Sequence, residues 1–223
     1  MNLFEKVRDE PNDIDGIRAL IANGADVRVG DDYALRLASA NGHLRIVELL
    51  LANGANVHAG YDAAIRLASV NGHLRIVELL LENGANVHAN DDYALRWASD
   101  NGHLQVVELL LKNGADVHAN DDAALRWASE NGHLKIVELL LENGANIHAA
   151  DDYAFRWASK NEHLQVVELL KRYSDMKEVT IRVDKDLKDR IQEVGIISLN
   201  KTLRQVLMVD AVEIEEKVRY IEI

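Results

Sequence analysis

The sequence predicts a mainly α fold, a solenoid of stacked helix pairs followed by a small strand-helix-helix (α+β) module. Three observations carry that expectation. The chain repeats itself every 30 residues, apolar residues within each repeat recur at helical spacing, and the charge balance changes near residue 171. Residues 1–170 hold 14 Lys+Arg against 26 Asp+Glu, and residues 171–223 hold 11 of each, so the whole net charge of −12 lies in the first part. An array this acidic repels phosphate backbones and favours basic or apolar partners.

The repeats begin at Asp31, Tyr61, Asp91, Asp121 and Asp151, and residues 91–120 match residues 121–150 at 22 of 30 positions. Residues 1–30 read as a degenerate first unit serving as a cap, because Ile21-Ala22-Asn23-Gly24-Ala25-Asp26-Val27 copies the end of each later unit. Within the unit from Asp91, Asp91-Asp92 supplies an N-cap, Tyr93 to Asp100 forms a first helix, and Asn101-Gly102 breaks it. A second helix runs from about His103 to Asn113 and ends at Gly114, which can take the left-handed conformation. Its polar residues Gln105, Glu108 and Lys112 share one stripe, leaving Leu104, Val106, Val107, Leu109, Leu110 and Leu111 for burial. In the first helix Ala94, Leu95 and Ala98 form the buried edge, where alanine allows close helix approach. No unit can bury its apolar face alone, so neighbours must stack.

Variation between copies falls on one stripe. The changing first-helix positions are Tyr33, Ala63, Tyr93, Ala123 and Tyr153; Leu37, Leu67, Trp97, Trp127 and Trp157; and Ala40, Val70, Asp100, Glu130 and Lys160. Their i, i+4, i+7 spacing places them on one face of every first helix. That face carries all three Trp and three of the six Tyr, residue types that anchor interfaces. The candidate partner-binding set is Tyr33, Leu37, Leu67, Tyr93, Trp97, Asp100, Trp127, Glu130, Tyr153, Trp157 and Lys160. Two roles are open to the Trp residues: exposed anchors, or filling between stacked units.

The run Leu-Arg-Trp-Ala-Ser-x-Asn-Gly-His-Leu-x-Val-Val-Glu-Leu-Leu-Leu-x-Asn-Gly-Ala resembles the ankyrin-repeat signature over about residues 1–172. The unit departs from the family's pattern in being 30 residues long and in replacing the Thr-Pro-Leu-His opening by Tyr/Ala-Ala-Leu-Arg, which implies short finger loops. The short form is similar to giant-virus-type ankyrin arrays, so a viral or bacterial source is the expectation. The resemblance implies an ankyrin-repeat solenoid over residues 1–174 that binds another protein through its first-helix (concave) face.

Enzyme chemistry has little to work with. There is no cysteine, so disulfides, thiolate catalysis and sulfur-ligated zinc are excluded. The nine histidines fall in two registers, His43, His73, His103, His133 and His163 after the inter-helix turn and His58, His88, His118 and His148 in the following loop. Equivalent residues of stacked units stand about 10 Å apart, too far to share one ion, so these read as structural. The resemblance assigns the first register to turn-stabilising hydrogen bonds. Arg36, Arg66, Arg96, Arg126 and Arg156 stand near the paired aspartates of their units, and local Asp–Arg pairing is expected. No catalytic residue, metal site or cofactor is expected. Charges follow Met1 closely and no apolar run reaches membrane-spanning length, so the expected location is cytoplasmic, in a host cell if viral, with no membrane partner.

The last unit breaks pattern at Glu162, where the others have Gly, and the array stops near Ser174. Residues 178–184 alternate, with Val179, Ile181 and Val183 on one face and Thr180 and Arg182 on the other, which predicts a strand. Lys185 to Val194 and Ser198 to Val209 then read as helices. This order resembles the ribbon-helix-helix family over about residues 178–209. The resemblance implies an antiparallel ribbon between two chains, with Thr180 and Arg182 in a major groove and Ser198, Asn200 and Lys201 at phosphate. A segment of about fifty residues with one unpaired strand is marginal alone, so residues 175–223 are expected to form a homodimer, a plain cap being the alternative. DNA is expected only through this tail, if at all, because Glu178 and Asp184 accompany Arg182 and the segment is neutral.

Overall fold

The computed structural model describes residues 2–178. Twelve helices follow one another among the described residues: α1 (Leu3–Asp9), α2 (Ile14–Ala22), α3 (Val29–Ala40), α4 (Leu44–Ala52), α5 (Ala59–Val70), α6 (Leu74–Glu82), α7 (Ala89–Asp100), α8 (Leu104–Lys112), α9 (Ala119–Glu130), α10 (Leu134–Glu142), α11 (Ala149–Lys160) and α12 (Leu164–Glu178). The odd-numbered helices pack on one another as one layer and α2, α4, α6, α8 and α10 as a second, with α1, α3, α5, α7 and α9 each also against the second helix of its own unit. This is the stack of helix pairs that the periodicity predicts, with α1 and α2 as its first pair.

The second helices form where the apolar spacing places them. In α8, Val106, Val107 and Leu110 are buried, Leu104, Leu109 and Leu111 are half-buried, and Gln105, Glu108 and Lys112 face solvent. Its end is closed as expected: Gly114 takes φ +90° and the Ala115 N–H donates to the Leu110 carbonyl at 3.0 Å. Leu50, Leu80, Leu110 and Leu140 are fully buried at one register, and Leu35, Ile65, Leu95 and Leu125 at another. Each such side chain contributes about 1.5–3 kcal/mol by leaving water. Ala64, Ala68, Ala94, Ala98, Ala124 and Ala128 are buried, and their small size suits the close approach of the neighbouring first helices α5, α7 and α9. Ser39, Ser69, Ser99 and Ser129 share that seam, their hydroxyls buried with no hydrogen-bond partner.

Two local expectations are corrected. Asp91 and Asp92 do not cap a helix: with Asn90 they form three consecutive left-handed residues (φ 56°, 53° and 51°) at the head of α7. The Asp92 carboxylate instead accepts the Asp116 N–H at 2.8 Å and the His88 Nδ1–H at 3.1 Å, tying the start of the unit to the loop after α8. The same pattern joins Asp32 to Asn56, Asp62 to Asn86 and Asp122 to Asn146.

The arginines, likewise, do not pair with the aspartate carboxylates. Arg96 Nε donates to the Asp91 carbonyl at 2.7 Å and its terminal nitrogen to the Asn90 carbonyl at 2.9 Å, and Arg36, Arg66 and Arg126 repeat both bonds. The left-handed turn aims two main-chain carbonyls at one point, and the planar guanidinium satisfies both.

Glu178 lies in α12, so the strand expected over residues 178–184 does not include its first residue. The rest of that strand and both tail helices lie outside the described residues.

Candidate functional site

The first-helix face is assembled by the repeat itself. Successive first helices stack side by side, so residues at one register form rows across the layer. Tyr93 and Trp97 lie one turn apart on α7 with ring centroids 5.6 Å apart, and Trp97 meets Trp127 of α9 at 5.4 Å. On α11 Tyr153 and Trp157 stack at 5.5 Å with 28° between their planes. These five rings are all half-buried. Trp97 and Trp127 thus pack against each other between units while part of each ring stays open.

Cations lie over several of these rings. Arg66 stands over Tyr93 at 5.2 Å, Arg96 over Trp127 at 5.8 Å, Arg126 over Tyr153 at 5.2 Å and Lys160 over Trp157 at 3.8 Å. The sequence led to an expectation of local Asp–Arg pairing for these arginines and not of this contact with the rings. A Tyr three residues before Arg, as in Tyr93 and Arg96, puts ring and guanidinium of one unit on one helix face and was the legible signal for the contact within a unit, whereas the contacts between units depend on stacking.

The acidic members sit at the end of the same helices. Asp100 Oδ1 accepts from Asn131 Nδ2 at 2.9 Å, and Glu130 Oε2 accepts from the Tyr153 hydroxyl at 2.6 Å. Partial burial raises the Asp100 carboxyl above its usual value, against the opposing effect of the Asn131 bond. Burial first, and then the Glu130 hydrogen bond, raise the Tyr153 phenol.

At the other end of the stripe Tyr33 is 42% exposed, with Phe4 of α1 set edge-on against it at 5.9 Å, and Leu37 and Leu67 are half-buried. The structure thus brings Tyr93, Trp97, Trp127, Asp100, Glu130, Tyr153, Trp157 and Lys160 into one connected surface, with Tyr33, Leu37 and Leu67 continuing it across the earlier units. Thr180, Arg182, Ser198, Asn200 and Lys201 lie outside the described residues.

The histidines are tied into the scaffold. His73, His103, His133 and His163 each donate from Nε2 to the last carbonyl of the preceding unit's first helix, at Ala40, Val70, Asp100 and Glu130, over 2.9–3.0 Å. His58, His88, His118 and His148 donate from Nδ1 to Asp62, Asp92, Asp122 and Asp152. Among the described residues no three or more His, Asp or Glu side chains gather as a metal site would require. None of the described helices is long and apolar enough to cross a membrane.

A two-layer array of helix pairs bonded unit to unit, with an aromatic stripe on one layer, defines the class of repeat scaffolds. The family of ankyrin repeats in three copies matches residues 5–91 and, in a second overlapping match, residues 65–151. The chain belongs to the ankyrin-repeat family. No curated protein matches it. Ankyrin repeats are generally protein–protein interaction modules, and their fold is typically a non-enzymatic binding scaffold.

Proposed function

We propose that this protein holds a partner protein on its first-helix face, around Tyr33, Leu37, Leu67, Tyr93, Trp97, Asp100, Trp127, Glu130, Tyr153, Trp157 and Lys160, and that it performs no catalysis. The observation carrying this reading is the contiguous run of half-buried rings from Tyr93 through Trp97 to Trp127. Its rings are held by neighbours yet partly open, so binding would immobilise little that is not already ordered. Aromatic residues fixed in this way are the usual energetic centre of an interface.

The test replaces Trp97, Trp127 and Trp157 by leucine, the residue that Leu37 and Leu67 already place at this register in the first two units. Helical content should stay near wild type while capture of partner proteins by the immobilised chain falls by about tenfold or more. Undiminished capture by the triple variant would move the interface to another face.

Residues 175–223 carry the second half of the proposal, a homodimerisation module. The alternation at Val179, Ile181 and Val183 and the resemblance of residues 178–209 to ribbon-helix-helix proteins support it. Light scattering on the full chain beside a chain ending at Glu178, where α12 ends, should give a dimer and a monomer. Two monomers would reduce the tail to a cap. A DNA-binding regulator or antitoxin is the second reading, resting on Thr180, Arg182, Ser198, Asn200 and Lys201, and it requires a salt-dependent mobility shift of duplex DNA by the full chain.

A further inference from the structure

The stripe is not uniform along the array. At its last register the first two units carry Ala40 and Val70, the next two carry Asp100 and Glu130, and the fifth carries Lys160. The acids therefore appear beside Trp97 and Trp127, the two rings that meet across neighbouring units.

Lys160 shows how a cation sits on this stripe: its ammonium lies 3.8 Å from the Trp157 ring centroid, three residues back on the same helix. On α7 and α9 the equivalent position is a carboxylate. Neither Asp100 nor Glu130 forms an ion pair among the described residues; each accepts a hydrogen bond from a neutral group, Asn131 or Tyr153. The arginines of this layer are already bonded elsewhere, since Arg66, Arg96 and Arg126 each give two hydrogen bonds to loop carbonyls.

The opposite edge of the stripe is acidic too. Asp91, Asp121 and Asp151 stand exposed at the loop tips, outside any ion pair with a described residue, and the eight residues from Tyr93 to Asp100 separate the two edges by about 12 Å.

We propose that the partner segment held on this face is basic and amphipathic, with apolar side chains on the open aromatic surface of Trp97, Trp127 and Trp157. Its Lys or Arg side chains lie along Asp100 and Glu130 on one edge and the loop-tip aspartates on the other. This rests on the reading of the face as a protein-binding surface and adds the chemistry of its occupant. Charge complementarity decides it: an aromatic strip edged on both sides by carboxylates that form no ion pair among the described residues, with its arginines held on loop carbonyls, disfavours an acidic segment and gives a neutral one no charge to set against the acids.

All three Trp of the chain lie on the stripe, so their emission reports occupancy directly. The probe is an end-blocked Leu/Lys amphipathic helix of about 16 residues, long enough for about two unit spacings, beside a Leu/Gln and a Leu/Glu helix of the same pattern. With the full-length protein, the Leu/Lys helix should change Trp emission saturably, weaken as salt rises from about 50 to about 300 mM, and bind at least about tenfold tighter than the other two.

Substituting D100K and E130K together places at both positions the residue that α11 already carries there, and should weaken binding about tenfold more than E48K with E108K, an equal charge change on the exposed face of the second helices. Equal losses in the two double variants would reduce the effect to bulk charge and overturn the proposal. Equal binding of the Leu/Gln helix would also overturn it, while leaving the face as the binding surface. No response to the Leu/Lys helix overturns the basic occupant and leaves the capture experiment with the leucine variants to judge the face itself.

Discussion

At the scale of the residue, one position sets the fifth unit apart. Gly102 has φ +78°, and a Cβ there would lie 2.7 Å from the ring of His133 in the following unit; Gly42, Gly72 and Gly132 meet the next histidine in the same way. The fifth unit has Glu162 at this position with φ 61°, and no histidine of a following unit lies against it among the described residues. Gly102→Ala should therefore lower stability by more than the roughly 1 kcal/mol of a left-handed alanine, whereas Glu162→Gly should raise it by about 1 kcal/mol. Urea denaturation of both variants checks the opposite signs.

Asp100 offers a second test at this scale. Its carboxyl is raised in the folded protein, chiefly by burial, so the folded chain holds that proton more tightly than the unfolded chain does. Stability is thus lost as pH rises through the carboxylate range, and the cost is complete above the folded value. Asp100→Asn keeps an acceptor for Asn131 and should raise Tm at neutral pH. The gain should shrink to nothing below the ordinary value of 3.8, which a series of melting curves would read.

At the scale of the element, the loops that start each first helix concentrate unfavourable backbone. Units use Gly30, Gly60, Asn90, Asn120 and Ala150 at the first of three left-handed positions. Glycine and asparagine tolerate that conformation, and alanine does not. The turn persists because it is bonded from both sides, by the arginine on its carbonyls and by the aspartate on the next loop. Ala150→Gly should stabilise the protein by about 1 kcal/mol, with the gain visible as slower hydrogen exchange in the turn at the head of α11. Exchange as fast as in the parent would mean that the fifth loop is held no more tightly than its backbone allows.

At the scale of the whole molecule, the described array is bonded between neighbours only. Histidine and asparagine side chains reach the preceding unit, as His133 and Asn131 do at Asp100, and buried registers repeat unit by unit. Stability should therefore behave as a sum of unit and interface contributions. Leu35→Ala and Leu125→Ala, separated by two intervening units, should each cost about 2–5 kcal/mol and add within about 0.5 kcal/mol. Leu95→Ala with Leu125→Ala touches adjacent first helices and should depart from additivity. Denaturant midpoints of the two double variants would separate a nearest-neighbour array from one with longer-range coupling.

Much of this was legible in the residues alone, because a repeat writes the same physical instruction five times. Helical spacing of Val106, Val107 and Leu110, the closing Gly114 and the alanines of the seam are local or nearest-neighbour properties, so they determined the helix pairs, their ends and the stacking. Comparison between copies likewise singled out the varying stripe. What only the tertiary structure decided depends on which groups meet across units or across a turn. Asp92 looked like a cap, but the left-handed backbone turns its carboxylate toward the loop at Asp116. The arginines looked like partners for aspartate, but the same turn offers them two carbonyls. The open or filled state of Trp97 and Trp127 was undecided because each ring's neighbour lies thirty positions away in sequence. Contacts at that distance come from packing, which periodicity implies in outline and only coordinates resolve atom by atom.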